Sequence, residues 1–280
     1  MHWPLVDAPD RLRHVPTPQE RDALDFTDLV IGRPDFNSRR YSFGAIADAY
    51  DAYRPGYSQE IVAWLLGNPS AGTTLRVLDL ATGTGRLGQT ALELGHDVVA
   101  VEPDDAMRAK AVDRIGAGRV LAGTAEAIPL DSNTVDVVTV GTAWHWFNPE
   151  TAPAEVARVL KPGGLLSVAW NLRDDRVPWV SAFDELTDGQ DRVMRTNEVP
   201  FRAPAPFFDE AEHVEIPQII ELPRDGLVGL ARSMSYVRLR PDADEVFAAV
   251  AELVRTHPDL ADQDTLRLPY IATCFRSVCL

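Results

Sequence analysis

The residues best suited to do chemistry cluster in one short run, Asp79-Leu80-Ala81-Thr82-Gly83-Thr84-Gly85-Arg86-Leu87-Gly88. A glycine-rich turn between a strand and a helix lets backbone N–H groups approach a ligand without Cβ obstruction. Gly83, Gly85 and Gly88 satisfy G-x-G-x-x-G, and Glu102 follows 19 residues after Gly83. A dinucleotide site is therefore formally present. Glu102 serves any ligand that offers a ribose diol, because a carboxylate accepts two hydroxyls well. Asp79 separates the readings. A carboxylate four residues before Gly83 is unhelpful beside a pyrophosphate and suits a ligand with an ammonium group and no phosphate, such as the methionine end of S-adenosylmethionine. The alternative for Asp79 is hydrogen bonding within the turn.

Two further groups stand out. Thr142-Ala143-Trp144-His145-Trp146-Phe147 follows an apolar run, and places a histidine among aromatic rings. His145 is a general base or substrate orienter in one reading; in the other it is packed against tryptophan to support the loop. Trp144, Trp146 and Phe147 would be apolar walls. Upstream lie Tyr50, Tyr53, Arg54 and Tyr57. Arg54 could pair with a ligand carboxylate, since a guanidinium fork matches that group, or it could form a helix-terminal salt bridge. Tyr41 could line the pocket entrance.

These pieces resemble the class I S-adenosylmethionine-dependent methyltransferases of the type 11 (ubiquinone-biosynthesis-like) group. The matching segments are YDAYRPGY at 50–57, VLDLATGTGRLG at 77–88, VVAVEPDDAMR at 98–108, AGTAEAIPLDSNTVDVV at 122–138, AWHWF at 143–147 and EVARVLKPGGLL at 155–166. Their common order over residues 41–171 is far more specific than any one of them. The resemblance implies that Asp79, Ala81, Gly83 and Gly85 hold the methionine part, Glu102 the ribose, and Met107 the adenine face. Thr124, Ala125 and Glu126 match the segment at the adenine edge. Thr124 stands where the family often has Asp, so that contact would pass to its hydroxyl or to a backbone carbonyl. Ala81 replaces a frequent glycine, a small change if its φ is negative. The implied reaction is methyl transfer from S-adenosylmethionine to a small molecule, foremost O-methylation. The alternatives are a non-methylating reaction such as cyclisation on the same fold, or a nicotinamide-dependent oxidoreductase.

The elements that must position these residues read as alternating strands and helices. Strands are expected at 75–80, 97–101, 120–122, 135–140 and 165–170, with helices at 86–94, 104–115 and 149–160 and a turn at Lys161-Pro162-Gly163-Gly164. Such βαβ units make a parallel sheet, and ligands bind beyond the carboxyl ends of its strands. The expected fold is Rossmann-like α/β: a mostly parallel seven-stranded sheet, helices on both faces, and a helical cap. A helix is read at 58–66, with Ile61, Val62, Leu65 and Leu66 on one face. Beyond Asn171 the pattern loosens. Residues 174–191 and 209–214 look partly helical, 227–236 and 243–256 helical, 214–222 and 266–278 extended. Pro269 argues for an edge strand or bulge. Residues 1–40, rich in proline and charge, read as an arm or lid with a short helix near 21–30. Residues 41–280 read as the methyltransferase domain, with the cofactor core at 75–171 and acceptor-cap elements within 172–260.

Composition narrows the partners. The 280-residue chain has 27 basic and 42 acidic residues and a net charge of −15, while 45% of it is apolar. A substantial core is expected, and nucleic acid and acidic membrane surfaces are not. Two cysteines, Cys274 and Cys279, and six scattered histidines suggest neither a disulfide framework nor a metal site. No apolar run has the form of a signal peptide or membrane span, so the expected location is the cytoplasm. A homodimer is open.

Overall fold

The structure is a computed structural model that describes residues 53–188, 201 and 203–280. Tyr41, Tyr50 and the 1–40 arm lie outside the described residues. Helix α1 (Gln59–Leu65) starts at Ser58, whose hydroxyl accepts from the Ile61 N–H, and buries Ile61, Val62 and Leu65. Then come β1 (Arg76–Leu80), α2 (Arg86–Glu93), β2 (Asp97–Val101), α3 (Asp105–Ile115), β3 (Val120–Leu121), β4 (Val135–Gly141), α4 (Ala152–Val159) and β5 (Leu160–Arg173). The second half holds α5 (Pro178–Asp188), β6 (Glu212–Pro223), α6 (Gly226–Arg232), α7 (Ser235–Arg238), α8 (Ala243–Thr256) and β7 (Thr265–Val278).

The strands form one seven-stranded sheet in the order β3-β2-β1-β4-β5-β7-β6. The first five are parallel, whereas β7 runs antiparallel to both β5 and β6. The order reverses between β1 and β4, which opens a crevice at their carboxyl ends. One face of the sheet packs Leu78, Val138, Val140 and Trp170 against α4 and Phe147. The other packs Val77, Val98 and Val137 against α1, α2 and α3. A third cluster joins α5, α6 and α8 to β6 and β7 through Phe183, Leu227, Leu230 and Val250.

Three expectations require correction. The final strand is not at the sheet edge, because β7 lies between β5 and β6. Pro269 is tolerated because it sits one residue past the pairing of β5 with β7, which ends at Arg173 opposite Tyr270. Its carbonyl accepts from the Asp174 N–H, so its missing N–H faces the place where β5 has ended. Residues 209–211 are not helical, and 212–214 belong to β6. The helix read at 227–236 is broken at Ser233 and Met234 into α6 and α7.

Candidate active site

Asp79, the fourth residue of β1, is 1% exposed. Its Oδ2 accepts from the Gly88 N–H at 2.9 Å and from the Thr82 hydroxyl at 2.5 Å. Gly88 is glycine for this reason: a Cβ there would stand 3.0 Å from the same oxygen. Gly85 caps α2 at φ +82°, where a side chain would press on the Ala111 backbone. Glu102, just after β2, is also buried. Its Oε2 accepts from the Gly83 N–H at 2.8 Å and its Oε1 from the Asp104 N–H at 3.0 Å, joining the β1–α2 turn to the start of α3. Burial pushes Asp79 up to about 6, against the pull of Thr82 and Gly88. It pushes Glu102 up to about 7, against the pull of the Asp104 and Gly83 N–H groups.

Among the described residues, neither carboxylate forms a salt bridge with a lysine or arginine side chain, and no cation figures among the causes of either shift. Two buried acids around a glycine turn would repel a pyrophosphate. They fit a ligand that brings an ammonium group to one and hydroxyl donors to the other. S-adenosylmethionine has both, so the residues present suit it.

Ala81 adopts φ +54°, so the condition under which it replaces glycine at little cost is not met. Left-handed backbone costs an L-residue roughly 1–2 kcal/mol. After glycine's greater chain entropy is deducted, Ala81→Gly is expected to stabilise the fold by about 0.5–1 kcal/mol. Thermal unfolding should show a rise of a few degrees, and an unchanged or lower midpoint would contradict the strain.

A cavity runs from this turn across the ends of β4, β5 and β7. Arg54, Tyr57, Asp79, Thr142, Arg173 and Tyr270 line it, together with Ala81 and Gly83. Arg54 is thus brought to the same cavity as Asp79, and its Nη2 donates to the Ser233 carbonyl at 3.4 Å. Tyr57 meets Thr142 oxygen to oxygen at 3.0 Å, and its ring covers Gly141, where a Cβ would be 3.0 Å from the phenol oxygen. Thr142 itself has φ +53°. A β-branched residue in that region is strained and persists only where its surroundings hold it.

The remaining sequence-read residues lie around this centre. Met107 is buried in the first turn of α3, and its N–H is capped by Asp104. Thr124 bridges to Ala127, Ala125 is buried, and Glu126 accepts from the Asn148 N–H at 2.9 Å. Trp144 and Phe147 make an edge-on pair at 5.4 Å, and Trp144 makes another with Phe201 at 5.7 Å. Trp146 is half-buried beside His145, with ring centroids 4.8 Å apart. These rings pack on the α4 face of the sheet and are not in the lining of the cavity around Asp79.

The Trp170 N–H donates to Nδ1 of His145 at 3.4 Å. His145 is therefore neutral with its proton on Nε2. It keeps some exposed surface, yet desolvation of the ring pushes its pKa down to about 4. Sequence reasoning missed Arg173, Asn171 and Tyr270. Their signal was placement alone: the residues that end β5, and their partners on β7, must open on the same crevice.

Comparison with known proteins agrees with this geometry. Residues 78–168 match the family model described as a methyltransferase domain. An uncharacterised methyltransferase of Mycobacterium tuberculosis is 41% identical over 242 residues, covering 84% of this chain and 95% of that protein. A malonyl-[acyl-carrier protein] O-methyltransferase of Pectobacterium atrosepticum is 30% identical over 155 residues, 55% of this chain and 60% of that one. A solved structure from Anaeromyxobacter dehalogenans, described as a candidate type II methyltransferase, superposes with a TM-score of 0.58 at 26% identity, covering 81% of this chain and 97% of that one. The chain belongs to the class I S-adenosylmethionine-dependent methyltransferases of the type 11 kind, and S-adenosylmethionine is its cofactor.

Proposed function

We propose that the enzyme methylates an oxygen atom of a small-molecule acceptor. The observation that carries the cofactor half is the pair of buried carboxylates, Asp79 and Glu102, at the glycine turn, which among the described residues form no salt bridge with a lysine or arginine side chain. In this reading Asp79 takes the ammonium, Arg54 the methionine carboxylate and Glu102 the ribose hydroxyls. Met107 packs on the adenine, with Thr124, Ala125 and Glu126 at its edge. The cofactor supplies a methyl group already activated on a sulfonium. The protein's task is then positioning and the exclusion of water. Trp144, Trp146 and Phe147 pack behind the sheet on the α4 face, and the helices within 172–260 cap the site.

The choice of oxygen rests on His145. A histidine whose Nδ1 accepts from Trp170 and whose pKa lies near 4 is a poor proton acceptor. The acceptor oxygen must then be acidic enough to react without a base, as a carboxylate or acidic phenol is. The O-methyltransferase among the relatives agrees with this reading.

Calorimetry should show binding of S-adenosylmethionine and its demethylated product and none of NAD. Incubation with acidic oxygen acceptors should yield a product heavier by one CH2. Binding of nicotinamide cofactor alone would overturn the assignment, and product methylated on nitrogen or carbon would overturn the choice of oxygen. His145→Ala should leave cofactor affinity within about twofold and cost about 1–3 kcal/mol of stability, because the buried Trp170 N–H loses its acceptor. A pH–rate profile that loses a limb near neutrality in His145→Ala would restore the histidine as a base.

A further inference from the structure

Along β6, Val214, Ile216, Gln218, Ile220 and Leu222 alternate with exposed residues and form the inward row of the strand. The other four of these side chains belong to the apolar clusters on the sheet, and the glutamine interrupts them. A half-buried amide in an apolar row costs free energy unless hydrogen bonds compensate it.

Its partners explain its place. Gln218 stands opposite Tyr270 of β7, which in turn stands opposite Arg173 of β5. Asn171 comes two residues before Arg173 and so shares that face of the sheet. The Gln218 Nε2 donates to the Asn171 Oδ1 at 2.6 Å and to the Gly56 carbonyl at 3.2 Å. The Asn171 Nδ2 donates to the same carbonyl at 3.0 Å. A carbonyl can only accept, so both amides must turn their NH2 groups toward Gly56, and both of its lone pairs are used.

Residues 55–58 belong to no helix or strand, and Pro55 has no N–H to give. Side chains hold this segment where a backbone ladder would otherwise do so. The two amides hold the Gly56 carbonyl, the Thr90 hydroxyl of α2 holds the Tyr57 carbonyl at 3.1 Å, and Thr142 meets the Tyr57 hydroxyl. Arg54, Pro55, Tyr57 and Asn171 line the same cavity as Asp79 and Gly83, whereas Gln218 touches that lining without belonging to it.

We propose that Gln218 is a positioning residue for the cofactor: together with Asn171 it fixes segment 54–57 at the rim of the cavity, so that the segment meets the ligand already in place. This rests on the methyltransferase reading above. A rim held in its bound form spares the ligand the loss of chain freedom that ordering it would require. The edge strand of the sheet thereby bears on a site built at the β1–α2 turn.

The test is calorimetric titration of the full chain with S-adenosylhomocysteine, with the ligand-free melting temperature measured beside it. Gln218→Met keeps the length of the side chain, suits the apolar row and removes both donors. It should weaken S-adenosylhomocysteine at least about fivefold and lower the melting temperature by a few degrees at most. Gln218→Glu keeps the shape and offers only acceptors, and should also weaken the ligand at least about fivefold. Should that variant fail to fold, Gln218→Met decides. Ile220→Ala, two residues along the same face, is the control for mere strand stability. It should lower the melting temperature more than Gln218→Met does, yet leave affinity within about twofold. Normal affinity in either Gln218 variant that folds, or an equal loss in Ile220→Ala, would overturn the proposal. If the wild-type chain does not bind S-adenosylhomocysteine at all, the methyltransferase reading fails first and this proposal falls with it.

Discussion

Lowering the pH from about 8 to about 5.5 is expected to weaken cofactor binding by roughly 100-fold, because both acids proposed to receive the ligand lose their charge in that interval. Glu102 is pushed up to about 7 and Asp79 to about 6, in each case first by burial. At pH 5.5 only about 3% of Glu102 and about a quarter of Asp79 would be ionised, whereas at pH 8 nearly all of both would be. The ammonium and ribose hydroxyls need the charged forms, so binding expels protons. The sign for the ligand-free fold is opposite. A carboxyl with a raised folded pKa contributes stability that is fully present below its unfolded value, near 4 here, and lost as pH rises through the folded value. Each acid costs the ligand-free chain on the order of 3 kcal/mol once ionised. The melting temperature without cofactor should therefore fall between about pH 5 and pH 8, and saturating cofactor should offset much of the fall. Calorimetric titrations in two buffers of different ionisation enthalpy would count the protons released. Affinity independent of pH, or proton uptake on binding, would show that these acids do not face the ligand.

The five parallel strands were legible because each carries an apolar run, as strands do when both faces of a parallel sheet are buried. Asp79 and Glu102 were legible for the same reason: each stands at a strand end whose position the apolar run determines. The site's other half was not. Thr142 carries left-handed strain, but threonine is an ordinary strand residue and nothing local announces it. It is held by Tyr57, 85 residues earlier in the chain. Arg173 and Tyr270 meet only because β7 inserts between β5 and β6, a choice that spacing does not encode. The pattern of Trp144 and Phe147 suits a pocket wall and a core equally. Phe201, which sits against Trp144 from a distant segment, shows the second use. The positive φ of Ala81 cannot be seen in the sequence, because nothing about an alanine announces it.

Glu102→Gln should reduce cofactor affinity by about 100-fold or more while leaving the fold intact. The substitution keeps the side chain's length and volume, so packing around β2 and α3 is preserved. What changes is the hydrogen-bond inventory. The carboxylate now accepts from Gly83 on one oxygen and from Asp104 on the other, with a lone pair left on each for the ribose. A glutamine amide can accept at one position only, and its NH2 would face an N–H at the other. One of the two loops therefore loses its anchor, and the ligand exchanges two charge-assisted contacts, worth roughly 1.5–3 kcal/mol each before water compensates, for at most one neutral pair. The ligand-free variant should lose little stability near pH 8, because the desolvated charge that burdened the wild-type chain is gone. Two readouts then separate function from folding. The pH dependence of affinity above about pH 6.5 should flatten in Glu102→Gln, while the part near pH 6 that belongs to Asp79 should persist. The melting temperature without ligand should fall less steeply with rising pH than in the wild-type chain. Normal affinity in Glu102→Gln would mean that this carboxylate serves only to tie the Gly83 turn to α3, and that the ribose is held elsewhere.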